Sequence, residues 1–148
     1  VRVWAAPVLP DEILDTYRNV AVKPEAYNLE DHPQLANGTP MHALFEQLRK
    51  EVLALDPSVT EEVLKLYIAF KAETNFVDVV PQKTRLRLSL NMPFHELSDP
   101  KGMARDVTNL GRWGNGDVEV GFSEESELAY VMGLIRQAFE KQMGNDAD

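Results

Sequence analysis

Residues 84–92 read TRLRLSLNM, and this stretch decides the fold. Its apolar side chains recur at every second position, which is the period of a β-strand. The apolar set is Leu86, Leu88, Leu90 and Met92, and the alternating polar set is Arg85, Arg87, Ser89 and Asn91. A strand that is apolar on one side only is typical of an antiparallel sheet with one buried face, and we predict such a sheet here.

Four further stretches are predicted to complete this sheet. They are residues 63–71 (VLKLYIAFK), 76–80 (FVDVV), 104–108 (ARDVT) and 117–122 (DVEVGF). The first two precede TRLRLSLNM with short connections, which favours an antiparallel meander.

Two helices are predicted on either side of the strands, over residues 41–55 and 124–143. In both, apolar residues recur at steps of three and four and form one stripe. The stripes are Met41, Leu44, Phe45, Leu48, Val52 and Leu55, then Leu128, Val131, Met132, Ile135, Phe139 and Met143. We therefore predict an α+β fold: an antiparallel sheet of about five strands with two helices packed on one face, the other face remaining in solvent.

The chain divides into three predicted parts. Residues 1–40 contain five prolines and no long periodic pattern, so we interpret them as a proline-rich N-terminal arm or linker. Residues 41–144 form the α+β domain, and residues 145–148 are expected to be a disordered tail. The sequence starts with Val1 rather than Met, which we interpret as a fragment of a larger protein.

Composition excludes several classes of site. The chain has no cysteine, so it has neither disulfides nor thiolate metal sites. Its three histidines, His32, His42 and His95, lack metal-ligand spacing, and no cofactor or metal is predicted. No apolar run approaches the ~20 residues that cross a bilayer, and no signal peptide is visible. We expect a cytoplasmic protein without a membrane partner.

The net charge of −9 argues against a wholly basic, nucleic-acid-binding surface, but the charge is uneven. Between residues 63 and 112, eight Lys or Arg face five acids, so this part is +3 and the remainder is −12. The excess is either ordinary scatter or a basic face on an acidic body.

The polar side of the predicted sheet carries the first candidate site. Arg85, Arg87 and Asn91 lie on one strand. Lys65, Tyr67 and Lys71 would join them if 63–71 is a strand with Leu64, Leu66, Ile68 and Phe70 buried. Arginine binds phosphate in bidentate fashion, so one interpretation is a phosphate-binding or base-reading surface. The other is a solvated face of cross-strand pairs with Asp78 or Glu119.

A second candidate lies in residues 111–122, GRWGNGDVEVGF. Asn115 and Gly116 predict a tight turn, because both residue types tolerate positive φ. The turn does not account for Arg112 and Trp113. They either bind a planar group such as a base, or close the end of the sheet. The stretch is not a phosphate-binding P-loop, since no Gly-Lys-Ser/Thr follows.

No residue pattern indicates catalysis. Asp117 and Glu119 with Asp78 and Lys83 resemble a metal-dependent nuclease site, but the spacing between Asp78 and Lys83 does not fit. No Ser or Thr lies beside a plausible base. We predict a domain that is not an enzyme by itself and name no catalytic residue.

Most of residues 41–142 resembles a known bacterial family. The matching blocks are LFEQLRKEVLALDPSVTEEVLKLYIAFK (44–71), NFVDVVPQKTRLRLSLNM (75–92), DPKGMARDVTNLGRWGNGDVEVGFS (99–123) and ELAYVMGLIRQAFEKQ (127–142). They are similar to a domain of unknown function, sometimes labelled "predicted transport protein". It is found at the C-terminus of GmrSD-like restriction proteins that act on modified DNA.

The resemblance implies attachment to ParB-like nucleotide-hydrolysing and HNH nuclease domains of a DNA-defence protein, and it carries over no catalytic residue. The expected function is recognition of DNA or a modified nucleotide. The candidate binding residues are Lys65, Tyr67, Lys71, Arg85, Arg87, Asn91, Arg112, Trp113 and Asn115. The alternative is a protein-docking or oligomerisation module without nucleic-acid contact. The sequence predicts no oligomeric state.

Overall fold

A computed structural model describes residues 27–108 and 116–144. Its strands are β1 (Thr60–Val63), β2 (Ile68–Lys71), β3 (Asn75–Pro81), β4 (Leu86–Leu90), β5 (Ala104–Asp106) and β6 (Val118–Phe122). Its helices are α1 (Pro40–Leu53) and α2 (Leu128–Gln142). The strands form one antiparallel sheet in the order β1-β2-β3-β4-β6-β5. The predicted α+β class is confirmed, with six strands in place of about five.

Strand β4 lies inside the sheet, as its alternation predicts. Leu86, Leu88 and Leu90 are fully buried, whereas Arg87 and Ser89 between them are half-buried. Leu88 pairs with Val79 on β3 and with Val120 on β6, so apolar side chains continue across the strands on one face. That face packs against the helices and forms the core.

Both helices contribute aromatic or aliphatic side chains to this core. Helix α1 begins after Thr39, whose side chain accepts a hydrogen bond from the His42 amide at 3.2 Å. Its Phe45 ring lies 6.4 Å from the Phe70 ring of β2, measured between centroids. Helix α2 places Phe139 edge-on to Phe76 of β3, with centroids 5.2 Å apart. The two helices thus cover the same sheet face, as the stripes predict.

The prediction of one strand over residues 63–71 is wrong. The chain turns at 64–67, where the Leu64 amide donates to the Tyr67 carbonyl at 2.8 Å, and the strands on either side pair as β1 and β2. Leu66 is 59% exposed at this turn rather than buried. Strand β1 reads TEEV, and a short edge strand with charged side chains gives little periodic signal.

A β-bulge shapes the start of β3. Phe70 pairs with Val77 and Lys71 pairs with Asn75, so Phe76 is an extra residue on β3. The bulge lets Phe76 and Val77 both point into the core, and both are buried. Strict alternation would have placed Phe76 on the polar face with Asp78.

The described residues of the predicted arm pack on the domain. Leu35 is 3% exposed and belongs to the core cluster. His32 is buried, and its Nε2 donates to the Leu64 carbonyl oxygen at 2.8 Å. Packing therefore extends N-terminal to residue 41.

The loop before β5 is held by Asp99. The Asp99 carboxylate accepts hydrogen bonds from the Tyr130 hydroxyl on α2 and from the amides of Met103 and Ala104, at 3.1 and 2.8 Å for the amides. Burial raises the pKa of Asp99, but these bonds outweigh it and keep the pKa below its ordinary value of 3.8. The loop is thereby anchored to α2, which fixes where β5 joins the sheet.

The substitution Tyr130→Phe tests this anchor. Since the folded pKa of Asp99 is lowered, its stabilising contribution is complete above the unfolded pKa and is lost as pH falls through the folded pKa. We expect Tyr130→Phe to lower the midpoint of thermal unfolding by a few degrees at pH 7. The difference from the unsubstituted protein should narrow towards pH 3, as circular dichroism over a pH series would measure.

Asp56→Asn is the control for the Tyr130→Phe experiment. The pKa of Asp56 is also lowered, but by Ser58, two residues away, so the substitution breaks no contact between elements. We expect Asp56→Asn to change the midpoint of thermal unfolding less than Tyr130→Phe does. If the midpoints of Tyr130→Phe and of the unsubstituted protein differed by the same amount from pH 7 to pH 3, the role of Asp99 would be contradicted.

Candidate functional site

The second face of the sheet carries the polar side chains, and we call it the polar sheet face. One row crosses all six strands through the registered pairs. Its members are Glu62, Ala69, Asp78, Ser89, Glu119 and Arg105. Next to it runs a shorter row of Val80, Arg87 and Gly121. Tyr67 precedes Ile68, which pairs with Val79, so Tyr67 lies beside Val80 at the end of this shorter row.

The polar sheet face is of mixed charge. Lys71 pairs with Glu62, with 3.4 Å between Nζ and Oε1. Both side chains are more than 40% exposed, so this pair contributes little to stability. The centre of the face is covered, because Ala69 and Asp78 are 0% and 1% exposed. The expectation of an entirely solvated face is therefore wrong at its centre.

Two arginines converge on one carboxylate oxygen at the β4–β6–β5 end of this face. The Nη2 atom of Arg85 lies 3.5 Å from Oε2 of Glu119, and the Nη1 atom of Arg105 lies 3.9 Å from the same oxygen. Glu119 is only 18% exposed, whereas the arginine side chains are 40% and 64% exposed. The three residues, which we call the Arg–Glu–Arg cluster, carry a net charge of +1.

Arg85 is held in place on both sides of its guanidinium. Its Nε donates to Oε1 of Gln82 at 2.8 Å. A Cβ atom built on Gly121 would lie 2.9 Å from Nη1 and 3.4 Å from Cδ of Arg85. Because Gly121 has no side chain, the Arg85 side chain can cross β6 at this position. This positioning lowers the entropy cost of binding a ligand through Arg85.

Asp78 supplies a buried carboxylate in the middle of the face. The Nδ2 atom of Asn75 donates to its Oδ1 at 3.1 Å. Burial raises the pKa of the Tyr67 hydroxyl, and the charges of Asp78 and then Glu62 raise it further. Tyr67 is therefore a neutral hydroxyl at physiological pH beside an acidic centre.

Comparison with known proteins assigns the chain to a family. Residues 33–142 match the family model described as "Domain of unknown function (DUF5655)". The chain belongs to this family. It is 40% identical over 117 residues to an uncharacterized protein of Haemophilus influenzae. The match covers 78% of this chain and 38% of that relative, so the chain spans well under half of the relative's length. No solved structure matches.

Within this family member, the structure places the predicted binding residues in different surroundings. Lys65 and Tyr67 lie in the β1–β2 turn and Lys71 ends β2, while Arg85 and Arg87 flank or lie on β4. Asn91 has a structural role: its Nδ2 donates to the Asn75 carbonyl at 2.9 Å, and its carbonyl accepts from Gln142 at 2.7 Å. Arg112, Trp113 and Asn115 lie outside the described residues.

The sequence offered, as an alternative to ligand binding, a solvated face whose arginines pair across strands with Asp78 or Glu119. The pair with Glu119 is confirmed for Arg85. Three participants were not among the predicted residues: Arg105, Gln82 and Gly121. Arg105 could have been found from the alternation of residues 104–108. Gln82 and Gly121 give no signal of their own, because their roles depend on where the Arg85 side chain lies.

Neither a metal site nor a membrane span is found among the described residues. Residues 27–108 and 116–144 contain no group of three His, Asp or Glu that could hold a metal ion. Neither described helix is long and apolar enough to cross a membrane.

A groove between the helices is the other notable surface. It has a volume of about 600 Å³ and is lined by Gln47, Leu55, Leu128, Met132 and Arg136 among others. The side-chain oxygen of Gln47 is buried and has no hydrogen-bond donor in the part of the chain that the structure describes.

Proposed function

We propose that this domain is a non-catalytic recognition module of a restriction-type DNA-defence protein, and that it binds DNA or a modified nucleotide through the polar sheet face. The observation that supports the proposal is the Arg–Glu–Arg cluster. Arg85 and Arg105 share a single carboxylate of Glu119, so one positive charge remains for an anionic ligand. The defence context rests on the family resemblance, in which the domain ends longer proteins.

The geometry of the cluster suits a phosphate group. A guanidinium carries five N–H donors in a planar fork that matches phosphate oxygens. Among the described residues, Arg85 directs its Nε to Gln82 and one Nη to Glu119, at 3.5 Å for the latter. Donors on the outer side of both arginines can therefore reach a phosphate without breaking the bond to Gln82.

The neighbouring row offers contacts to a nucleotide base. Tyr67 and Arg87 lie at the two sides of Val80, and strands are spaced by about 4.8 Å, so the two side chains stand about 10 Å apart. Aromatic rings and guanidinium planes both stack on bases. A phosphate at the Arg–Glu–Arg cluster and a base near Arg87 or Tyr67 would fit one nucleotide.

The mixed charge of the polar sheet face limits the area that an anionic ligand can contact. Glu62 and Asp78 occupy the β1–β3 side of the face, so the cationic part is confined to its β4–β6–β5 end. A ligand would therefore make about two phosphate contacts rather than many. We expect log Kobs to fall with log salt with a slope of about −2, which is shallow for a DNA-binding protein.

Fluorescence anisotropy with labelled DNA tests the proposal. Duplex and single strands, plain and base-modified, would be titrated from low to physiological salt. The double substitution Arg85→Ala/Arg87→Ala is expected to weaken binding at least about tenfold and to flatten the salt dependence, because it removes the phosphate contact of Arg85 and the base contact of Arg87. The matched control is Lys50→Ala/Arg136→Ala, which removes the same charge from the helix side of the domain.

Two outcomes would reject the proposal. One is the absence of binding to every DNA at low salt. The other is an equal loss of binding in the Lys50→Ala/Arg136→Ala control, which would show a response to net charge rather than to the sheet face.

The second candidate function is docking to another domain of the same longer protein. The groove between the helices favours it, because its lining combines the apolar side chains of Leu55, Leu128 and Met132 with polar and charged ones, a mixture typical of docking surfaces. The charged residues of the groove are of both signs and largely cancel, so docking there should depend less on salt than binding at a phosphate site. Absence of DNA binding together with salt-insensitive association with the rest of the protein would support docking over DNA recognition.

A further inference from the structure

We propose that Glu119 selects the charge of the ligand: the Arg–Glu–Arg cluster binds the singly charged phosphodiester inside a nucleic-acid chain and discriminates against doubly charged terminal phosphates. This inference rests on the proposed function and narrows its ligand class, since a free nucleotide monophosphate or inorganic phosphate would be excluded. Glu119 is thereby a specificity-determining residue at the same site.

The Arg–Glu–Arg cluster is not a closed ion pair. A closed pair exists elsewhere in the molecule, between Arg49 of α1 and Glu61 of β1. There Nε and Nη2 of Arg49 lie 2.8 and 2.9 Å from the two carboxylate oxygens, so the pair is bidentate. In the Arg–Glu–Arg cluster both contacts reach one oxygen only, at 3.5 and 3.9 Å. The guanidinium groups are therefore not saturated by Glu119.

Glu119 stays at the site when a ligand arrives. It lies within β6 and is paired with Ser89 of β4 on one side and Arg105 of β5 on the other. Its side chain is 18% exposed, in contrast to the 64% of Arg105. A ligand can move the arginine tips, but the carboxylate is fixed by its strand position and remains next to the bound anion.

The charge of the Arg–Glu–Arg cluster matches that of a monoanion. Two guanidinium groups and one retained carboxylate give +1, which one phosphodiester neutralises. A phosphate monoester carries up to two negative charges above its second pKa of about 6. For a dianion the attraction to a net charge of +1 only doubles, whereas the desolvation cost rises about fourfold, with the square of the charge, and Glu119 repels the second charge at close range. The cluster therefore complements a monoanion.

The test compares short single-stranded oligonucleotides that differ only in a 5′-hydroxyl or 5′-phosphate end, at pH 8. The unsubstituted protein should bind both forms equally. Glu119→Gln leaves a similar shape but a site charge of +2, so it should bind the 5′-phosphorylated form about tenfold more tightly than the 5′-hydroxyl form. Glu61→Gln is the matched control, since it removes a carboxylate from the closed pair and should leave the two forms equal.

A second measurement uses inorganic phosphate and the NMR signals of the Arg85 and Arg105 side-chain Nε–H groups. In Glu119→Gln these signals should shift with millimolar phosphate at pH 8, and in the unsubstituted protein they should shift much less. This measurement is independent of DNA binding, so it separates the two proposals.

The selectivity inference is overturned if the unsubstituted protein prefers the 5′-phosphorylated oligonucleotide, or if Glu119→Gln changes neither the preference nor the phosphate response. If oligonucleotides still bind in that case and Arg85→Ala/Arg87→Ala abolishes binding, the proposed function stands without it. If no oligonucleotide binds but Glu119→Gln alone responds to phosphate, charge selection is supported and DNA recognition is rejected.

Discussion

Replacing Gly116 with alanine is expected to destabilise the fold by more than about 3 kcal/mol, enough to leave a large fraction unfolded. Gly116 has φ of +110°, a conformation that L-residues with a side chain rarely adopt. A Cβ at this position would lie 2.0 Å from the Leu90 carbonyl oxygen and 2.6 Å from the Asn91 Cα. Both obstacles are backbone atoms at the end of β4 and just after it, so no side-chain rotation relieves the clash.

Urea unfolding followed by circular dichroism at 222 nm would measure this loss, with Gly133→Ala as the matched control. Gly133 lies exposed in α2, and a Cβ there would have no heavy atom within 4 Å. Alanine should stabilise a helix interior by about 0.5–1 kcal/mol relative to glycine. A Gly116→Ala protein within about 1 kcal/mol of the unsubstituted one would refute the close approach of Gly116 to the backbone of Leu90.

At Gly116 the sequence predicts the turn but not the contact with Leu90. The pair Asn115-Gly116 predicts a turn before the last strand, and the structure places Gly116 just before β6 with positive φ. The turn signal is local, since it depends on the residue's own conformational freedom. The contact with Leu90 is not local. It arises because β6 inserts between β4 and β5, a strand order that short-range patterns do not determine.

The candidate site was predictable only in part, for the same reason. Alternation in TRLRLSLNM correctly separates Leu86 and Leu88 from Arg87 on opposite faces. The net charge of +3 over residues 63–112 is compatible with a basic surface. The partner of Arg85, however, comes from β6, 34 residues later in the chain. Charges on a sheet face are combined by strand order, so the balance of the Arg–Glu–Arg cluster appears only once β4, β6 and β5 lie side by side.

Replacing Phe76 with alanine is the second large effect that we expect, with a loss of about 3–5 kcal/mol in the free energy of unfolding. Phe76 is fully buried and meets Phe139 of α2 edge-on, at 5.2 Å between ring centroids. Removing the ring leaves a cavity between the sheet and α2 and also removes an aromatic pair. The same urea titration would measure the loss.

Two further variants separate the ring's contribution from that of the bulge. Phe76→Leu keeps most of the apolar volume and should cost less than half as much, while Phe94→Ala removes a ring that is only half-buried and should also cost less. The backbone of Phe76 accepts a hydrogen bond from the Asn91 amide at 3.0 Å, which all of these variants retain. If Phe76→Ala cost no more than Phe94→Ala, Phe76 would face the polar side as strict alternation predicts, and the bulge would be absent in solution. A large difference instead means that one extra residue in β3 turns both Phe76 and Val77 towards the core. The sheet thereby gains a second consecutive core residue, and Phe76 packs against Phe139 of α2.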